Sequence, residues 1–391
     1  MRLSSRLSPA IPTLLLATAL TACGGGSSGT SAPPVPPTVT LAAVTTQTLA
    51  GGKPVALTAT VSSSDAVSWS LAAGAAGTLS ATSGASVNYL PPAAGVAKPA
   101  TVTVTATAGG VSKNVNLALY PDPGPAGLSL IAGSIATPTA QDADLDGPNA
   151  GARFRKPTQL AVDADGNLYV ADDARSSGAF IGGHGLSLRQ VTASATSTVF
   201  QQYDGVNTVS GLAVDRNHQF YISEVGIQSL ENRPKGGALR KWQNNSFTTL
   251  SGGYVAPWLD YQQVDGPAAS AQFQNPVLLG VDADGTLYIR DNDKLRQLTA
   301  AGVVSTIPSL PAGIVSAPDG ATYTVDAASA VVYRVAADGG KTVVAGVPNV
   351  QGTVLGSLPG GLYQPQAIVP TGLYSFAVIS GNAIVKLVLP H

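Results

Sequence analysis

The sequence contains a single cysteine, Cys23, among its 391 residues, so no disulfide can form within the chain. Charged residues are also scarce, at 11%, against about 25% in an average soluble domain. The 21 basic and 22 acidic residues leave a formal net charge of −1, which gives no positive field to attract nucleic acid. We therefore exclude nucleic acid as a partner and expect the fold to depend on packing alone.

Histidine is nearly as rare, and this limits the chemistry that the chain can perform. The three histidines, His184, His218 and His391, are far apart in the sequence. Zinc sites and histidine-supported nucleophiles need several converging side chains. The sequence also has no Gly-x-Ser-x-Gly elbow and no Walker-type loop. It therefore indicates no catalytic residue and no cofactor, and it favours a non-enzymatic protein.

Long apolar runs are missing as well, and the composition favours β-structure. No stretch of about 18 apolar residues follows the first 23, so no transmembrane helix is predicted. Hydrophobic residues make up 44% of the chain, which also has 44 glycines and 28 prolines. With abundant valine and threonine, this composition predicts an all-β protein that is rich in turns.

The N-terminus has the pattern of a secretory signal. Arg2 and Arg6 precede a short apolar segment, 11–20, which is too brief to span a bilayer. The segment leads into Leu-Thr-Ala-Cys at 20–23, which resembles the lipobox of bacterial lipoproteins. That resemblance implies that residues 1–22 are removed and that Cys23 carries the lipid that anchors the protein in a membrane.

The residues after the cysteine predict where the anchored protein is sorted and how it is tethered. Gly24 replaces the aspartate that is associated with inner-membrane retention, which favours the outer membrane, with a periplasmic or surface-facing orientation. Residues 23–37 are rich in glycine, serine and proline and form the predicted tether.

A first folded domain is predicted over residues 38–121. Segments 55–61, 67–71 and 101–107 alternate threonine with valine or leucine, which is typical of half-buried strands. Trp69 follows the second strong strand pattern. Together with the segment 86–92, this arrangement resembles bacterial immunoglobulin-like domains. The resemblance implies a β-sandwich in which Trp69 lies in the core.

The rest of the chain repeats itself. Residues 145–157 recur as 264–276 with seven of thirteen positions identical, and the match continues from 160–170 into 279–289. Weaker copies lie at 212–222 and 316–325. Each copy predicts a hairpin whose second strand carries a tyrosine. A third strand with one outward basic residue follows in each of five copies, at Arg189, Arg240, Arg296, Arg334 and Lys386.

Four strands in each repeat form the blade of a β-propeller. The Phe-x-x-Pro, the Val-Asp-x-x-Gly-x-Leu-Tyr-Val-x-Asp and the Ile-Arg-like third strand resemble the NHL-repeat family over residues 127–391. This resemblance implies a propeller of five or six blades. We expect residues 128–133 to complete the last blade and close the ring. Metal-dependent lyases that share the NHL propeller depend on several histidines, which this sequence does not offer.

Three aspartates, Asp142, Asp144 and Asp146, are spaced like the start of a calcium loop. The twelfth position, however, is Arg153 instead of the bidentate glutamate that such a loop needs. The repeat copy at Asp265 has no acidic residue two or four places earlier. We therefore assign Asp-Gly-Pro to the repeat architecture and predict no metal.

Three long connections emerge on one face of the predicted propeller. They are the second-to-third strand loops of copies one and two and the connection 252–265, which leave the blades at the same end because strands alternate in direction. Insertions on one face of a repeat protein usually mark its binding face. The candidate contacts on this face are Arg175, Phe180, His184, Glu224, Arg233, Lys235, Tyr254, Trp258 and Tyr261. The alternative is that these loops only cap the channel.

These observations predict a lipid-anchored binding protein of the cell envelope whose ligand is a protein, a peptide or a glycan. One alternative is a metal-dependent propeller hydrolase, lactonase or lyase, and another is a structural scaffold of the envelope. Acidic and amide side chains converging at the channel mouth would favour the enzyme. An apolar channel would favour binding.

Overall fold

The computed structural model describes residues 36–42, 46–139, 144–173, 184–206, 208–227, 236–253, 262–311 and 313–391. Within these ranges the regular structure consists of twenty-nine β-strands and no helix. The described part of the chain consequently has no helix that could cross a membrane. The all-β prediction is confirmed.

The first eight strands form a two-layered sandwich. In chain order they are β1 (Val39–Leu41), β2 (Gln47–Leu49), β3 (Val55–Val61), β4 (Ser68–Leu71), β5 (Thr78–Leu79), β6 (Ser86–Leu90), β7 (Ala100–Ala108) and β8 (Val111–Tyr120). One sheet has the order β1-β3-β6-β5 and the other has the order β2-β8-β7-β4. The β2 strand runs parallel to β8, whereas the other pairs are antiparallel.

The core of the sandwich lies between the two sheets. Val102, Val104 and Ala106 of β7 are fully buried at alternate positions, as a two-residue period requires. Trp69 is 3% exposed, and its indole N–H donates a hydrogen bond of 2.8 Å to the carbonyl oxygen of Gly84. The prediction that Trp69 anchors this core is confirmed.

The other strands form five further sheets. They are β9 (Gly127–Gly133), β10 (Gly147–Pro148), β11 (Pro157–Val162), β12 (Leu168–Asp173), β13 (His184–Val191), β14 (Ala195–Val206), β15 (Thr208–Val214), β16 (Phe220–Ile227), β17 (Gly236–Gln243), β18 (Ser246–Gly252), β19 (Gly266–Pro267), β20 (Pro276–Val281), β21 (Leu287–Asp291), β22 (Lys294–Leu298), β23 (Val303–Ile307), β24 (Thr322–Asp326), β25 (Val331–Val335), β26 (Lys341–Ala345), β27 (Ile368–Gly372), β28 (Ser375–Ser380) and β29 (Ala383–Val388).

Each sheet is an antiparallel meander, and we number the five sheets in chain order. The first has the order β10-β14-β13-β12-β11, the second β15-β16-β17-β18 and the third β19-β23-β22-β21-β20. The fourth has only three strands, β24-β25-β26, and the fifth has the order β27-β28-β29-β9. This repeated meander is the organisation of a β-propeller.

The ring is closed by the strand that precedes the first sheet. The β9 strand pairs antiparallel with β29, with Leu128 opposite Leu387 and Lys386 opposite Ser129. The prediction that residues 128–133 complete the last sheet is confirmed. Closure of this kind covers an edge that would otherwise be open to pairing with another chain.

Buried apolar clusters join neighbouring sheets. The first and second sheets meet around Tyr169 and Phe220, whose ring centroids are 4.9 Å apart. Similar clusters join the second sheet to the third, the fourth to the fifth and the fifth to the first. In the described residues no such cluster joins the third sheet to the fourth.

The hairpin between the first two strands of a sheet is fixed by a recurring hydrogen bond. In four sheets a tyrosine hydroxyl donates to the aspartate of the turn that precedes its strand, with distances of 3.2, 3.2, 2.9 and 2.8 Å. The four pairs are Tyr169–Asp163, Tyr221–Asp215, Tyr288–Asp282 and Tyr323–Asp319. The repeated Asp and Tyr of the sequence therefore have a structural role.

Candidate functional site

A cavity of about 390 Å³ lies where the inner strands of the sheets converge. Its wall takes aliphatic side chains from every sheet, among them Leu160, Leu212, Leu278, Ile314, Val325 and Ile368. The wall also carries polar side chains, namely Gln159, Arg290, Thr322, Tyr323, Thr324 and Gln366. Among the described residues, the lining contains no carboxylate and no histidine.

This lining limits the chemistry of the cavity. General acid–base catalysis needs a titratable side chain near the reacting atoms, and metal-assisted hydrolysis needs carboxylate or imidazole ligands. The described wall offers no carboxylate and no imidazole, and its titratable side chains are Tyr323 and Arg290.

One charged residue lies on the wall of the cavity. Arg290 belongs to β21, where it faces Val277 of β20 and Leu295 of β22, and its side chain is exposed. No ion pair or hydrogen bond joins its guanidinium to another residue within the described part of the chain. The sequence analysis missed this residue, because nothing in the repeat pattern distinguishes it.

The third-strand arginines of the first and third sheets are not outward-facing. Arg189 and Arg296 are fully buried, which corrects the prediction that these basic side chains point outward. Arg296 lies 3.0 Å from the buried carboxylate of Asp291 and 2.9 Å from that of Asp265. The first and third sheets each pack against a neighbouring sheet, so alternation along a strand does not by itself place one face in solvent. Arg334, by contrast, is exposed.

Glu224 is also buried and paired with an arginine. Its carboxylate is 1% exposed and lies 3.0 Å from Nη1 of Arg240. The sequence placed Glu224 among the ligand contacts of the long-loop face, but it lies within β16 of the second sheet. It is therefore a buried partner of an arginine rather than an exposed contact.

The candidate calcium residues are also engaged by an arginine. Asp146 lies 2.7 Å from Nη2 of Arg189 and accepts the backbone N–H of Thr198 at 2.8 Å. Asp265 accepts from Arg296 and from the N–H of Thr306 in the same way, which confirms that Asp-Gly-Pro belongs to the repeat architecture. Asp142 lies outside the described residues.

The buried arginine of the first sheet, Arg189, has one more carboxylate around it than Arg296 of the third sheet. Asp144 stands at the position that Gln263 occupies in the other copy. The carboxylates of Asp144 and Asp172 each lie 3.7 Å from Nη1 of Arg189. Burial raises the pKa of Asp172 well above its ordinary value, and the charge of Asp144 and a hydrogen bond to it raise that pKa further. The two carboxyls therefore share a site that favours one proton.

A different group of three could approach a metal ion. Ligand atoms of Asp163, Asp165 and His218 lie within 4.8 Å of one another. Asp163 already accepts from Asn167 at 3.0 Å and from Tyr169 at 3.2 Å, and Asp165 pairs with Lys98. The Asp163 carboxylate therefore already has partners within the hairpin turn, and the Asp165 carboxylate already has one on the sandwich.

Most of the predicted face lies outside the described residues. His184 begins β13, but its side chain is not described. The residues that lie outside the described ranges are Cys23, Arg175, Phe180, Arg233, Lys235, Tyr254, Trp258 and Tyr261. Their roles therefore stay predictions.

No family model and no curated protein matches the chain. Among solved structures it is similar to a Bacteroides thetaiotaomicron protein of unknown function, with 15% identity, 92% of this chain and 99% of that chain covered, and a TM-score of 0.45. A catalytically inactive virginiamycin B lyase from Staphylococcus aureus has 10% identity, 90% and 100% coverage and a TM-score of 0.27. A gluconolactonase from Xanthomonas campestris has 12% identity, 86% and 90% coverage and a TM-score of 0.24. Likenesses this distant assign no activity.

Proposed function

We propose that this chain is a lipid-anchored binding protein of the bacterial cell envelope. In this proposal an immunoglobulin-like stalk carries a five-bladed NHL-type propeller, and the propeller binds a protein, a peptide or a glycan. The observation that carries the proposal is the central cavity. Its described wall combines aliphatic side chains with amides, hydroxyls and one guanidinium, and contains no carboxylate and no histidine.

The strand order of the sandwich supports the immunoglobulin-like assignment. Its sheets, β1-β3-β6-β5 and β2-β8-β7-β4, match the A-B-E-D and C-F-G grouping of that fold, with β2 added beside β8. The buried Trp69 on β4 corresponds to the tryptophan on strand C. Five sheets around one cavity, closed by β9 and β29, support a five-bladed ring.

The position of the sandwich supports display of the long-loop face. Lys98 of the sandwich pairs with Asp165 in the first hairpin turn of the propeller, and a cleft between Tyr120 and Gly320 lies at the same end. Hairpins between first and second strands emerge opposite the loops between second and third strands, because strands alternate in direction. In this proposal the stalk leaves the opposite face of the propeller, where we predict the long loops, available to a ligand.

The anchor is tested by metabolic labelling with a clickable fatty acid. Wild-type protein should be labelled and should sediment with membranes, whereas Cys23→Ser should lose the label and leave the membrane fraction. Ser28→Ala, which alters the same tether without touching the thiol, should behave as wild type. Labelling or membrane sedimentation of Cys23→Ser at the wild-type level would contradict the anchor.

The binding role is tested by affinity capture from an envelope extract with the full chain in detergent. We expect one component to be retained in proportion to the bait and to be released by competition with untagged protein. Turnover of lactone or ester substrates by the purified chain, abolished by a chelator, would contradict the proposal and favour the hydrolase. Capture of nothing would favour a scaffold.

A further inference from the structure

The hairpin turn of the second sheet differs from its neighbours at one position. In the first and third sheets this position is Gly166 and Gly285, with φ of +86° and +80°. The second sheet has His218 there, with φ of +57°. In all three turns the N–H of this residue donates to the carbonyl oxygen of the aspartate three places earlier, at 3.1 or 3.2 Å. Residues other than glycine rarely adopt a positive φ, so the turn itself does not favour a histidine.

The imidazole of His218 reaches the turn of the first sheet. The two sheets pack around Tyr169 and Phe220, and Nε2 of His218 lies 3.3 Å from Oδ2 of Asp163. A charge-assisted hydrogen bond from nitrogen to a carboxylate is usually shorter, at about 2.7–2.9 Å. Two ligand atoms that each lie about 2.0–2.1 Å from a tetrahedral zinc ion are, by contrast, about 3.3 Å apart. The observed separation therefore fits two ligands of one ion.

The first turn supplies a third ligand atom. Ligand atoms of Asp163, Asp165 and His218 all lie within 4.8 Å of one another. Burial opposes ionisation of Asp163, but hydrogen bonds from Asn167 and Tyr169 outweigh it and lower the pKa of its carboxyl. Such partners orient a ligating carboxylate rather than exclude a metal ion. Asp165 is exposed, so its carboxylate can turn towards an ion held by the other two residues.

A positive charge from the sandwich already lies beside this cluster. Nζ of Lys98 lies 2.5 Å from Oδ1 of Asp165, and the lysine side chain is 62% exposed. A cleft of about 690 Å³ is lined by Lys98, Asp163 and Asp165, and it gives an ion and water molecules access to the carboxylates. The cluster thus favours a cation, and an exposed ammonium can be exchanged for a free ion.

The donor atoms indicate the class of ion. Calcium and magnesium prefer oxygen ligands, whereas an imidazole beside carboxylates suits zinc and related first-row ions. We propose that Asp163, Asp165 and His218 bind a zinc-like divalent ion, which takes the place of the Lys98 ammonium and has water as its fourth ligand. The bound ion joins the first two hairpin turns and releases Lys98 from the propeller.

The test is a calorimetric titration of the full chain, in detergent and without a histidine tag, with zinc chloride. We expect a zinc site whose affinity is at least tenfold higher than for calcium or magnesium. His218→Gly should weaken zinc binding at least tenfold and should keep the fold, because glycine suits the positive φ. His391→Asn removes an imidazole that lies near Asp122, outside the cluster, and should bind zinc as the wild type does.

Two further variants test the third ligand and the exchange with lysine. Asp165→Asn should weaken zinc binding at least tenfold, whereas Asp284→Asn, the same change in the turn of the third sheet, should leave it unaltered. Lys98→Ala should bind zinc at least threefold more tightly, because the ammonium no longer competes. Zinc should also raise the unfolding temperature of the wild type but not that of His218→Gly.

Several results would overturn the inference. They are an absence of zinc binding by the wild type, equal binding by His218→Gly, and loss of binding in His391→Asn, which would place the site elsewhere. Equal affinity for calcium would mean that oxygen atoms alone form the site, so His218 would not be a ligand. An unchanged affinity of Lys98→Ala would mean that the ion does not replace the ammonium.

Discussion

Nη1 of Arg296 lies 3.0 Å from Oδ2 of Asp291, and both side chains are completely buried. The Asp291 carboxylate also accepts the backbone N–H groups of Gln274 and Asn275, at 3.0 and 2.8 Å, while Arg296 donates to Asp265. One charge pair therefore fixes the end of β21, the segment that leads into β20 and the Asp-Gly-Pro segment of the third sheet.

Removal of one member of this pair leaves the other charge buried without its partner. We expect Asp291→Ala to lower the free energy of unfolding by about 3 kcal/mol or more, because an uncompensated buried charge is costly. Asp293→Ala, two residues away in an exposed turn, should change it by less than about 0.5 kcal/mol. Urea denaturation followed by tryptophan fluorescence measures both, and equal values for the two variants would show that the pair is not structural.

We expect the first sheet to give the folded protein a pH-dependent stability that the third sheet does not give. Burial raises the pKa of Asp172 well above its ordinary value, with a further contribution from the charge and hydrogen bond of Asp144. A carboxyl with a raised folded-state pKa contributes stability that is fully present below its unfolded pKa, about 4, and is lost as the pH rises through the folded pKa. We expect wild-type stability to fall accordingly as the pH rises above about 5.

Asp144→Gln tests this explanation, because it introduces the residue found at the equivalent Gln263. Without the like charge, Asp172 can ionise more readily beside Arg189, so the loss of stability as the pH rises should become smaller. Asp284→Asn, in an exposed hairpin turn, should keep the wild-type dependence. Denaturation curves at several pH values give the comparison, and parallel profiles for wild type and Asp144→Gln would contradict it.

The tyrosines of the hairpins combine burial with one hydrogen bond. Tyr288 is 6% exposed and its hydroxyl donates to Asp282 at 2.9 Å. We expect Tyr288→Phe to cost about 1 kcal/mol for the lost hydrogen bond. Tyr288→Ala should cost about 3 to 5 kcal/mol, because it also leaves a cavity. Thermal or urea unfolding of both variants decides, and similar losses would mean that the ring contributes no packing energy.

Much of the fold could be predicted because the repeat carries structural residues. The Asp of each turn and the Tyr of each second strand recur in the sequence, and the structure joins them by hydrogen bonds. Residues 128–133 had a strand pattern without a hairpin of their own, and they pair with β29. The alternation of apolar and polar residues and the residue types of the turns were therefore sufficient to predict these hairpins and this strand.

The misassigned residues are those whose environment depends on distant elements. Arg189 and Arg296 were expected to point outward, yet they pair with Asp146 and Asp265, which are close in space and distant in sequence. Glu224 was assigned to a loop face and is a buried partner of Arg240. The sequence carried a signal for these pairs, because an acidic residue lies in the second half of the second strand and an arginine recurs in the third strand. The sequence does not show that the acidic residue and the arginine contact each other, because they pair only in the folded structure.

The candidate site was the least predictable part. Arg290 lies on the wall of the cavity, and nothing in the repeat pattern distinguishes it from the other residues of the second strands. The long loops that the sequence emphasised lie outside the described residues, so Trp258 keeps its predicted role as a ligand contact.

Trp258 gives the most direct test of the binding function. It is predicted in a connection between blades rather than in a strand, so Trp258→Ala should cost less than about 1 kcal/mol of stability. As an aromatic interface residue it should nevertheless contribute about 2 kcal/mol to partner binding, roughly thirtyfold in affinity. The decisive measurement is the dissociation constant of the captured envelope partner for the wild-type chain and for Trp258→Ala, with the unfolding temperature of both recorded. A thirtyfold weaker complex with an unchanged unfolding temperature is the predicted result, whereas unaltered affinity, or unfolding of the propeller, would contradict the binding face.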